Sequence, residues 1–468
     1  MHTKSMNERR NRYTRRQYLR KGNPQKLTPN QMKLPSYLLR QNLEDSIIHI
    51  ASNKDLYVKH PGVDFTRDRK LTFAETMRFI CCMYAGTINR EIINYFGTSG
   101  PSKAAFIKRR QLIDPKAFKD LFDYFNKTTS HWDKKTYKGY RILAFDGSGI
   151  RLARNPESKT YQRSAEGVKG LNLYNFCALY DVLNKVFLDY EVQAWQDNDE
   201  RGALQTVLSR LDRSYKSIVL CDRGYESYNL IEFLNRSGSD YIIRLKNNGS
   251  RITRSLPMEE FDIRKETEVR NTQTKKDKED YKNSDDVVYV AGKSKFGKDK
   301  KIVSWGFESP CKVKYRLVRI KLDTGEYETL VTSLPESFTL DELKKLYHMR
   351  WGIETSFRDL KLCLGLEQLH TKDEFLALQE IAARLTLYNY CTRVILNSTQ
   401  EEVRGKKWLL QPAMSDCIFI CREWIYDNEA PPDEKVFARY RESVRPGRQD
   451  PRNVKLKNFN YFTYRTAA

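Results

Sequence analysis

Short apolar strands and amphipathic helices alternate between residues 140 and 246, and this alternation restricts the fold more than any other feature of the chain. The stretch YRILAF predicts a strand that ends at Asp146, and KSIVLC predicts another that ends at Asp222. A further apolar segment predicts two strands joined by a turn near Val182–Asn184. Strands that lead into helices over this length indicate an α/β fold with a mixed sheet.

The sequence changes character at residues 247–335. Highly charged turns surround short β-like stretches, and a hairpin is predicted with its turn at Asp323–Gly325. Charged turns with strands but without intervening helices are typical of a β-rich insertion. We therefore predict an insertion here rather than a continuation of the first sheet.

The N-terminal region reads as helical after a basic arm at residues 1–26. Thr72 and Glu75 form a T-x-x-E capping pattern ahead of an apolar helix. A second helix ends in GTSG, and a basic helix follows Pro101. Helix, glycine-containing turn and basic helix together suggest a DNA reader of helix-turn-helix type. An ordinary helical bundle with a charged outer face fits the same pattern.

Four polar residues recur with regular spacing in the segment YHMRWGIETSFRDLK. Tyr347, Glu354 and Lys361 are seven residues apart and therefore fall on nearly the same side of a predicted helix, with Arg350 one turn before Glu354. Apolar residues at steps of three and four form a separate face. Spacing alone also fits an exposed helix face whose Arg350–Glu354 pair contributes only about 0.3 kcal/mol.

The charge balance restricts the partner. The 468 residues hold 83 Lys and Arg against 60 Asp and Glu, a formal net charge of +23. Such a surplus favours a polyanion, and nucleic acid above all. A membrane surface is the competing partner, but no window approaches the ~20 apolar residues of a spanning helix. The nine cysteines are scattered without a C-x2-C pair, which predicts free thiols in a reducing compartment and excludes a zinc site of that type.

Three carboxylates are candidates for chemistry. Asp146 and Asp222 each follow a predicted strand and precede a glycine-containing turn, DGSG and DRGY. Ligands of α/β sheets bind at the carboxyl ends of the strands, and the helix-borne Glu354 could join the two there. Oxygen ligands suit Mg²⁺ or Mn²⁺, and two ions about 4 Å apart can promote in-line attack on a phosphate. Taken singly, each Asp also fits an ordinary turn-forming role.

The motifs LAFDGS, LCDRGY and Y-x2-R-x3-E-x6-K resemble those of DDE transposases of the insertion-sequence-four family, over roughly residues 70–395. The resemblance implies a ribonuclease H-like core and implies that Asp146, Asp222 and Glu354 are catalytic, metal-binding carboxylates. By the same resemblance, further side chains would contact the DNA backbone: Tyr347, Arg350 and Lys361 of the YREK signature, and Arg223 and Tyr225 beside Asp222.

Three aromatic residues need separate interpretation. Some members of the family use a tryptophan from the insertion to hold a flipped base, and Trp305 lies in the corresponding segment. A position in the core is the favoured interpretation for Trp305. His348 and Trp351 fall on other faces of the predicted helix, and we expect both to be packing residues.

The expected architecture is mixed α/β, with a ribonuclease H-like core, a β-rich insertion, and helical regions at both ends. The expected domains are a basic arm and helical DNA-binding region, the first part of the core, the insertion, the core helix carrying Glu354, and a C-terminal helical and basic tail. Their bounds are 1–135, 136–246, 247–335, 336–395 and 396–468.

The expected activity is that of a DNA transposase, which cuts at transposon ends and joins the freed 3′-OH to target DNA. Two Mg²⁺ or Mn²⁺ ions would serve as cofactors. The expected partners are double-stranded DNA and a second copy of the chain, without a membrane, in the bacterial cytoplasm. A related nuclease without strand transfer, a non-catalytic DNA-binding protein derived from a transposase, and an RNA-binding scaffold are the alternatives.

Overall fold

The structure is a computed structural model whose described residues fall into two compact units. One unit joins both ends of the chain, residues 1–133 and 358–468, and we call it the helical unit; the sheet unit spans residues 134–357. The predicted basic arm and the basic tail at 445–457 lie outside the described residues. The described residues are 28–67, 69–163, 170–246, 252–253, 256–272, 274–281, 284, 286–296, 300–400, 402–405, 408–426 and 431–444.

The N-terminal part of the helical unit consists of helices with polar N-caps where the sequence predicts them. The Thr72 side chain accepts a hydrogen bond from the backbone N–H of Glu75 at 3.1 Å, which confirms the predicted helix start. Thr87 and Ser102 cap the two following helices in the same way. The helices are α1 (Pro35–Ser52), α2 (Phe73–Cys82), α3 (Ile88–Phe96), α4 (Lys103–Arg110) and α5 (Lys116–Thr129).

A single ten-stranded mixed sheet dominates the sheet unit. Its strands are β1 (Tyr140–Leu152), β2 (Tyr161–Gln162), β3 (Leu171–Asp181), β4 (Val186–Ala194), β5 (Lys216–Cys221), β6 (Asp240–Arg244), β7 (Phe261–Arg270), β8 (Val287–Tyr289), β11 (Cys311–Lys321) and β12 (Tyr327–Thr332), while β9 (Lys293–Phe296) and β10 (Lys300–Val303) form a separate pair. The order is β2-β3-β1-β5-β6-β12-β11-β7-β8, and β4 pairs with β3.

The segment 247–335 does not stand apart as the predicted insertion. Its strand β12 pairs with β6 of the core, β11 pairs with β12, and β7 pairs with β11, all antiparallel. The hairpin between β11 and β12 turns where predicted, with Gly325 at a φ of 85° that favours glycine. The prediction that this segment does not continue the first sheet is therefore wrong: β12 pairs with the edge of β6, whose backbone groups would otherwise be unpaired.

Strand alternation distributes the core over both faces of the sheet. Leu143 and Phe145 of β1 pack with helices α6 (Glu200–Ser209) and α7 (Tyr228–Ser237). A short, charged helix, α8 (Lys275–Asp280), precedes the hairpin, and α9 (Leu340–His348) follows it. Ile142 points to the opposite face of the sheet and packs with α9. Successive side chains of a strand point to opposite faces, so one strand supports two apolar layers.

The helix predicted to carry the YREK spacing is broken in two. The first part, α9, ends at His348, and α10 covers Trp351–Leu362. Between them the backbone N–H groups of Arg350 and Ile353 bond three residues back, to Tyr347 and Arg350, which is the tighter 3₁₀ pattern. Tyr347 and Glu354 therefore do not stack on one continuous helix, and the predicted single face is wrong.

The C-terminal part of the helical unit is built on α11 (Glu374–Ser398), which is buried along nearly its whole length. The helical unit thus combines the N-terminal helices with residues that the sequence analysis assigned to the core. A small sheet follows, formed by β13 (Val403–Arg404), β14 (Leu409–Pro412) and β15 (Arg441–Ser443), together with α12 (Met414–Tyr426) and α13 (Glu434–Phe437). The C-terminal segment predicted as helical and basic thus also contains a small sheet.

Within the described part of the chain, every helix is too short or too polar to cross a membrane.

Candidate active site

Asp146 lies at the point in β1 where its neighbours diverge. The parallel pairing of β1 with β5 ends at Ala144, opposite Leu220, whereas the antiparallel pairing with β3 continues to Leu152. The predicted strand end at Asp146 is thus an end of parallel pairing only. Beyond that point β5 no longer covers the β1 edge, so the Asp146 side chain opens into the gap and is 22% exposed.

Asp222 is the first residue after β5 and forms the start of a short turn. Its Oδ1 accepts a hydrogen bond from the backbone N–H of Gly224 at 2.7 Å, and it caps the 3₁₀ turn Arg223–Tyr225. This is the turn-forming role that the sequence left open, and it also orients the carboxylate at the end of β5.

Glu354 lies in the first turn of α10, and a guanidinium joins it to Asp146. Arg350 Nη2 lies 3.0 Å from Glu354 Oε1, and Arg350 Nη1 lies 3.4 Å from Asp146 Oδ2. The Arg350 residue is 5% exposed. Three acidic residues and one arginine from distant parts of the sheet unit therefore share one electrostatic environment.

The pKa of Asp146 is raised in that environment. Burial raises it to about 6, and the negative charges of Asp222 and Glu354 act in the same direction, against the Gly147 N–H and Arg350. A carboxyl group that is desolvated beside two other carboxylates favours the neutral form. Burial is the main cause of this shift, and the three carboxylates outnumber the one guanidinium of Arg350; carboxyl groups with perturbed pKa values of this kind are common at functional sites.

The donor set fits a hard divalent cation in chemistry but not in present spacing. Carboxylate oxygens are the ligands that Mg²⁺ and Mn²⁺ prefer, and a cation would relieve the charge that raises the pKa of Asp146. Among the described residues, however, no group of three His, Cys, Asp or Glu side chains is placed to hold a metal ion. Arg350 instead pairs with Asp146 and Glu354. A bound cation would replace its guanidinium as the positive charge beside these two carboxylates.

The residues predicted to contact DNA differ in exposure. Arg223 is exposed in the turn after Asp222, and Lys361 is partly buried in the last turn of α10, with Nζ 4.0 Å from Glu367 Oε1. Tyr347 and Tyr225 are buried, at 3% and 1% exposed. The Tyr225 hydroxyl is itself enclosed, so the predicted phosphate contact of Tyr225 does not fit this arrangement. Its aromatic ring packs edge-on against Phe145 instead.

The exposed fractions of Trp305, Trp351 and His348 test the predictions made for these residues. Trp305 is 4% exposed and donates its indole N–H to the carbonyl of Glu308 at 3.0 Å, which confirms its position in the core. Trp351 is 43% exposed and lies over the Arg350 guanidinium at 4.8 Å, and His348 is exposed as well. The prediction that His348 and Trp351 are packing residues is therefore wrong, since both side chains are exposed.

Glu200 is a further acidic residue beside the site that the sequence analysis missed. It lies in the first turn of α6. Burial raises the pKa of Glu200, and the charge of Asp222 raises it further. Its only sequence signal was a position at a helix start, which is common for glutamate, so pattern alone could not assign it to the site.

Comparison with known proteins decides the family. Residues 137–390 match the family model described as "Transposase DDE domain". The chain belongs to the DDE transposases. The matched range contains Asp146, Asp222 and Glu354 and extends from the start of β1 into α11.

Individual relatives are distant. The chain is 22% identical over 293 residues to the transposase for insertion sequence element IS1151 of Clostridium perfringens, covering 57% of this chain and 60% of that protein. The chain thus spans less than two thirds of the length of this curated relative. A solved structure of the piggyBac transposase synaptic complex with hairpin DNA is 12% identical, with coverage of 88% and 86% and a TM-score of 0.44.

Proposed function

We propose that this DDE transposase is of the insertion-sequence-four type and catalyses metal-dependent cleavage at transposon ends followed by strand transfer. The observation that carries the proposal is the shared environment of Asp146, Asp222 and Glu354, in which the last two raise the pKa of the first. Asp146 and Asp222 lie where the parallel pairing of β1 with β5 ends, and Arg350 contacts both Asp146 and Glu354, which are 208 positions apart in the chain. A structural role does not require that charge concentration, since burying like charges together costs free energy.

The strand order supports a ribonuclease H-like core. Strands β4, β3 and β1 are consecutive antiparallel neighbours, and β5 and β6 then add parallel to β1. A three-stranded antiparallel meander extended by two parallel strands is the arrangement of such a core. Asp146 on its first strand and Asp222 after its fourth then face the same end of the sheet.

The reaction follows from the placement of these groups. Divalent ions, when bound, would activate water or a 3′-OH and stabilise the departing oxygen. Asp146, Asp222 and Glu354 would hold those ions, and all three must be ionised to do so. Arg350 balances the charge of Asp146 and Glu354 in this structure, and its planar donors also suit a DNA phosphate.

The DNA-backbone contacts would come from several cationic residues. Arg223 is exposed beside Asp222 and can reach a phosphate without rearrangement. Lys361 would add a point charge from the last turn of α10. Tyr347 packs beside Arg350, with the guanidinium 5.9 Å from its ring, so a phosphate contact by Tyr347 requires that pair to separate.

The helix-turn-helix interpretation of the N-terminal region also finds support. In α4, Phe106 and Arg110 are buried while Lys103 and Lys108 are exposed. Phe106 packs against Phe79 of α2 with ring centroids 4.8 Å apart. The basic helix is thus held on one side and open on the other, as a helix that enters a DNA groove must be.

Exposed cations next to α4 enlarge this basic surface. Arg67, Arg69 and Lys70 are exposed in the loop before α2, and Arg109 donates to the carbonyl of Leu71 in that loop. We propose that α4 and this loop contact the ends of the element, and that a homodimer brings two ends together.

Glu354→Ala tests the catalytic assignment. Cleavage of a duplex carrying the element end in Mg²⁺ should fall by at least about 10³-fold, because a metal ligand is lost, while end binding stays within twofold. Glu336→Ala is the matched control, since its side chain is 73% exposed and pairs only with a surface arginine. Cleavage by Glu354→Ala at the parental rate would refute the site.

Product analysis in the same reactions separates the alternatives. Strand-transfer products in the parent protein support a transposase, whereas nicking without joining indicates an endonuclease. Function that survives Asp222→Ala indicates a non-catalytic DNA-binding protein. Competition between duplex DNA and RNA in a band-shift assay tests the RNA-binding scaffold.

The DNA contacts are tested by salt dependence. Lys361→Ala should weaken end binding and lower the slope of log K against log salt by about 0.9, the value for one phosphate. Lys103→Ala with Lys108→Ala should lower it by up to about 1.8 if both contact phosphates. Lys116→Ala, which removes an exposed lysine of α5, is the control, and an equal loss in this control would argue against a specific surface.

A further inference from the structure

The first turn of α6 holds the turn that carries Asp222. Arg201 donates from Nε and Nη2 to the carbonyl of Gly224, at 3.2 and 2.8 Å. Gly224 in turn donates its N–H to Asp222 Oδ1. A side chain of α6 is thus connected through the single residue Gly224, by its carbonyl and its N–H, to the orientation of a proposed metal ligand.

The preceding residue, Glu200, contacts the strand that carries Asp146. A Cβ added to Gly147 would lie 2.8 Å from Glu200 Oε1 and 3.2 Å from its Cδ. The carboxylate therefore rests directly on the backbone of Gly147, the neighbour of Asp146. Only glycine leaves room for this approach, because real Cβ atoms do not come so close to an oxygen.

Glu200 also faces the buried side chain at the end of the Asp222 turn. Tyr225 is 1% exposed, and its hydroxyl oxygen is enclosed by protein. The Glu200 charge contributes to the raised pKa of Tyr225, after burial, and Tyr225 and Asn175 in turn lower the pKa of Glu200 against its burial. The carboxylate is therefore the acceptor toward which this enclosed hydroxyl can adjust.

These contacts place Glu200 between two segments that must keep a fixed separation. On one side is Gly147 of β1, and on the other is the turn from Asp222 to Tyr225. Since side chains alternate along β1, Asp146 points to the face opposite the one where Glu200 meets Gly147. Glu200 therefore supports the two aspartates from behind and does not enter the space between them.

We propose that Glu200, assisted by Arg201, is a positioning residue that sets the relative placement of Asp146 and Asp222 for divalent cation binding. This inference rests on the proposed function, because it assigns the site's supporting residues. Groups behind metal ligands fix their orientation, and losing such a group typically costs about 10- to 100-fold in affinity or activity. Misplacement by about 1 Å can cost 10²-fold in rate.

Mn²⁺ binding to the full chain without DNA, measured by electron paramagnetic resonance, tests the proposal apart from activity. Glu200→Ala should weaken Mn²⁺ binding about 10-fold or more. Glu200→Gln should restore most of the affinity, because its carbonyl keeps the shape and the acceptor facing Tyr225. Rescue by glutamine distinguishes positioning from direct ligation, since an amide is a poor substitute for a carboxylate ligand.

Two variants guard against a general loss of folding. Arg201→Ala changes an exposed side chain and should weaken Mn²⁺ binding severalfold with an unchanged unfolding midpoint. Glu191→Ala removes a carboxylate that pairs with Arg210 at 2.6 Å, away from the Asp222 turn, and should leave Mn²⁺ binding unchanged. Should Glu200→Ala fail to fold, Arg201→Ala and Glu200→Gln decide the matter.

The outcomes separate this inference from the proposed function. If Asp222→Asn abolishes Mn²⁺ binding while folded Glu200→Ala binds as tightly as the parent, the positioning role is refuted and the site stands. If Asp222→Asn binds Mn²⁺ like the parent, the proposed site itself is refuted. Equal losses in Glu191→Ala and Glu200→Ala would also overturn the positioning role, because the effect would then not depend on location.

Discussion

Two clusters of buried charge, one in each unit, differ in their balance. In the helical unit, Arg110 Nη1 lies 3.0 Å from Glu380 Oε1, and His370 Nδ1 lies 2.9 Å from Glu380 Oε2, all within a fully enclosed interior. In the sheet unit, Arg350 contacts the carboxylates of Asp146 and Glu354, and the charge of Asp222 acts on the same site. The first cluster is compensated, whereas the second carries excess negative charge.

As a result, the pKa of Glu380 is lowered whereas the pKa of Asp146 is raised. Burial opposes ionisation of Glu380, yet His370 and Arg110 hold the pKa of that carboxyl well below its usual range. Burial and neighbouring carboxylates raise the pKa of Asp146 to about 6. Charge burial therefore does not by itself identify a site. An excess of carboxylates over cationic groups does identify a site, because such a cluster stabilises the fold only when a cation binds.

Breaking the compensated cluster should have the largest effect on stability. Glu380→Ala leaves the buried Arg110 guanidinium without its carboxylate partner, and should lower the free energy of unfolding by about 3–5 kcal/mol. Urea denaturation followed by circular dichroism measures this loss. A loss below about 1 kcal/mol would mean that the cluster is no more stabilising than a surface pair.

Removing the uncompensated charge should stabilise the protein. The folded pKa of Asp146 is about 6 against 3.8 for the free group, so its ionisation above pH 6 costs the folded state up to about 3 kcal/mol. Asp146→Asn cannot ionise and should gain about 1–3 kcal/mol at pH 8 without metal.

The pH dependence provides the control for this variant. At about pH 3, below both the free value of 3.8 and the folded value of about 6, Asp146 is largely neutral in both states, so the parent and Asp146→Asn should be nearly equal in stability. The difference should therefore appear as the pH rises from about 4 to about 6. Thermal unfolding at several pH values measures it, and a variant that is less stable than the parent at pH 8 would contradict the imbalance.

Removing the charge of Arg350 should widen the pH range over which ionisation of Asp146 lowers stability. Arg350→Ala removes the charge that opposes protonation of Asp146, so the upper end of the pH range over which stability falls should rise by about one unit, while the lower end, set by the unfolded chain, stays in place. Arg350→Lys keeps the positive charge and is the matched control. The same thermal series measures both, and a downward shift in Arg350→Ala would be inconsistent with the ion pair.

The smallest effect is expected for an exposed pair. Asp123 lies 2.5 Å from Lys119 one turn away on α5, with side chains 49% and 26% exposed. Asp123→Ala should change the free energy of unfolding by less than about 0.5 kcal/mol, because water solvates both charges. Urea denaturation again measures this. A loss as large as that of Glu380→Ala would mean that burial is not the reason why the buried cluster stabilises the protein more than the exposed pair.

Local sequence signals predicted much of the fold. The strand that ends before Asp222, the hairpin turn at Gly325 and the cap at Thr72 all lie where expected. Each of these features depends on interactions within a few residues, such as a side chain that caps a backbone N–H or a φ that only glycine adopts readily. Such interactions are visible in the sequence because their partners are close along the chain.

Long-range features were predicted less well. The pairing of β12 with β6 and the break before α10 were missed, and with them the exposure of Trp351. Neither feature has a local signal, since β6 and β12 are separated by more than 80 residues and the segment at the break contains no proline. Tertiary packing overrides helical periodicity at such positions.

The candidate site shows the same division. Their positions after strands and in a helix made Asp146, Asp222 and Glu354 candidates, and the resemblance of the surrounding motifs to a transposase family implied their catalytic role. Their shared environment, the bridging position of Arg350 and the contact of Glu200 with Gly147 were decided by the tertiary structure. Distances between groups far apart in the chain, and hence the electrostatics that tune them, exist only once the sheet and its helices have packed.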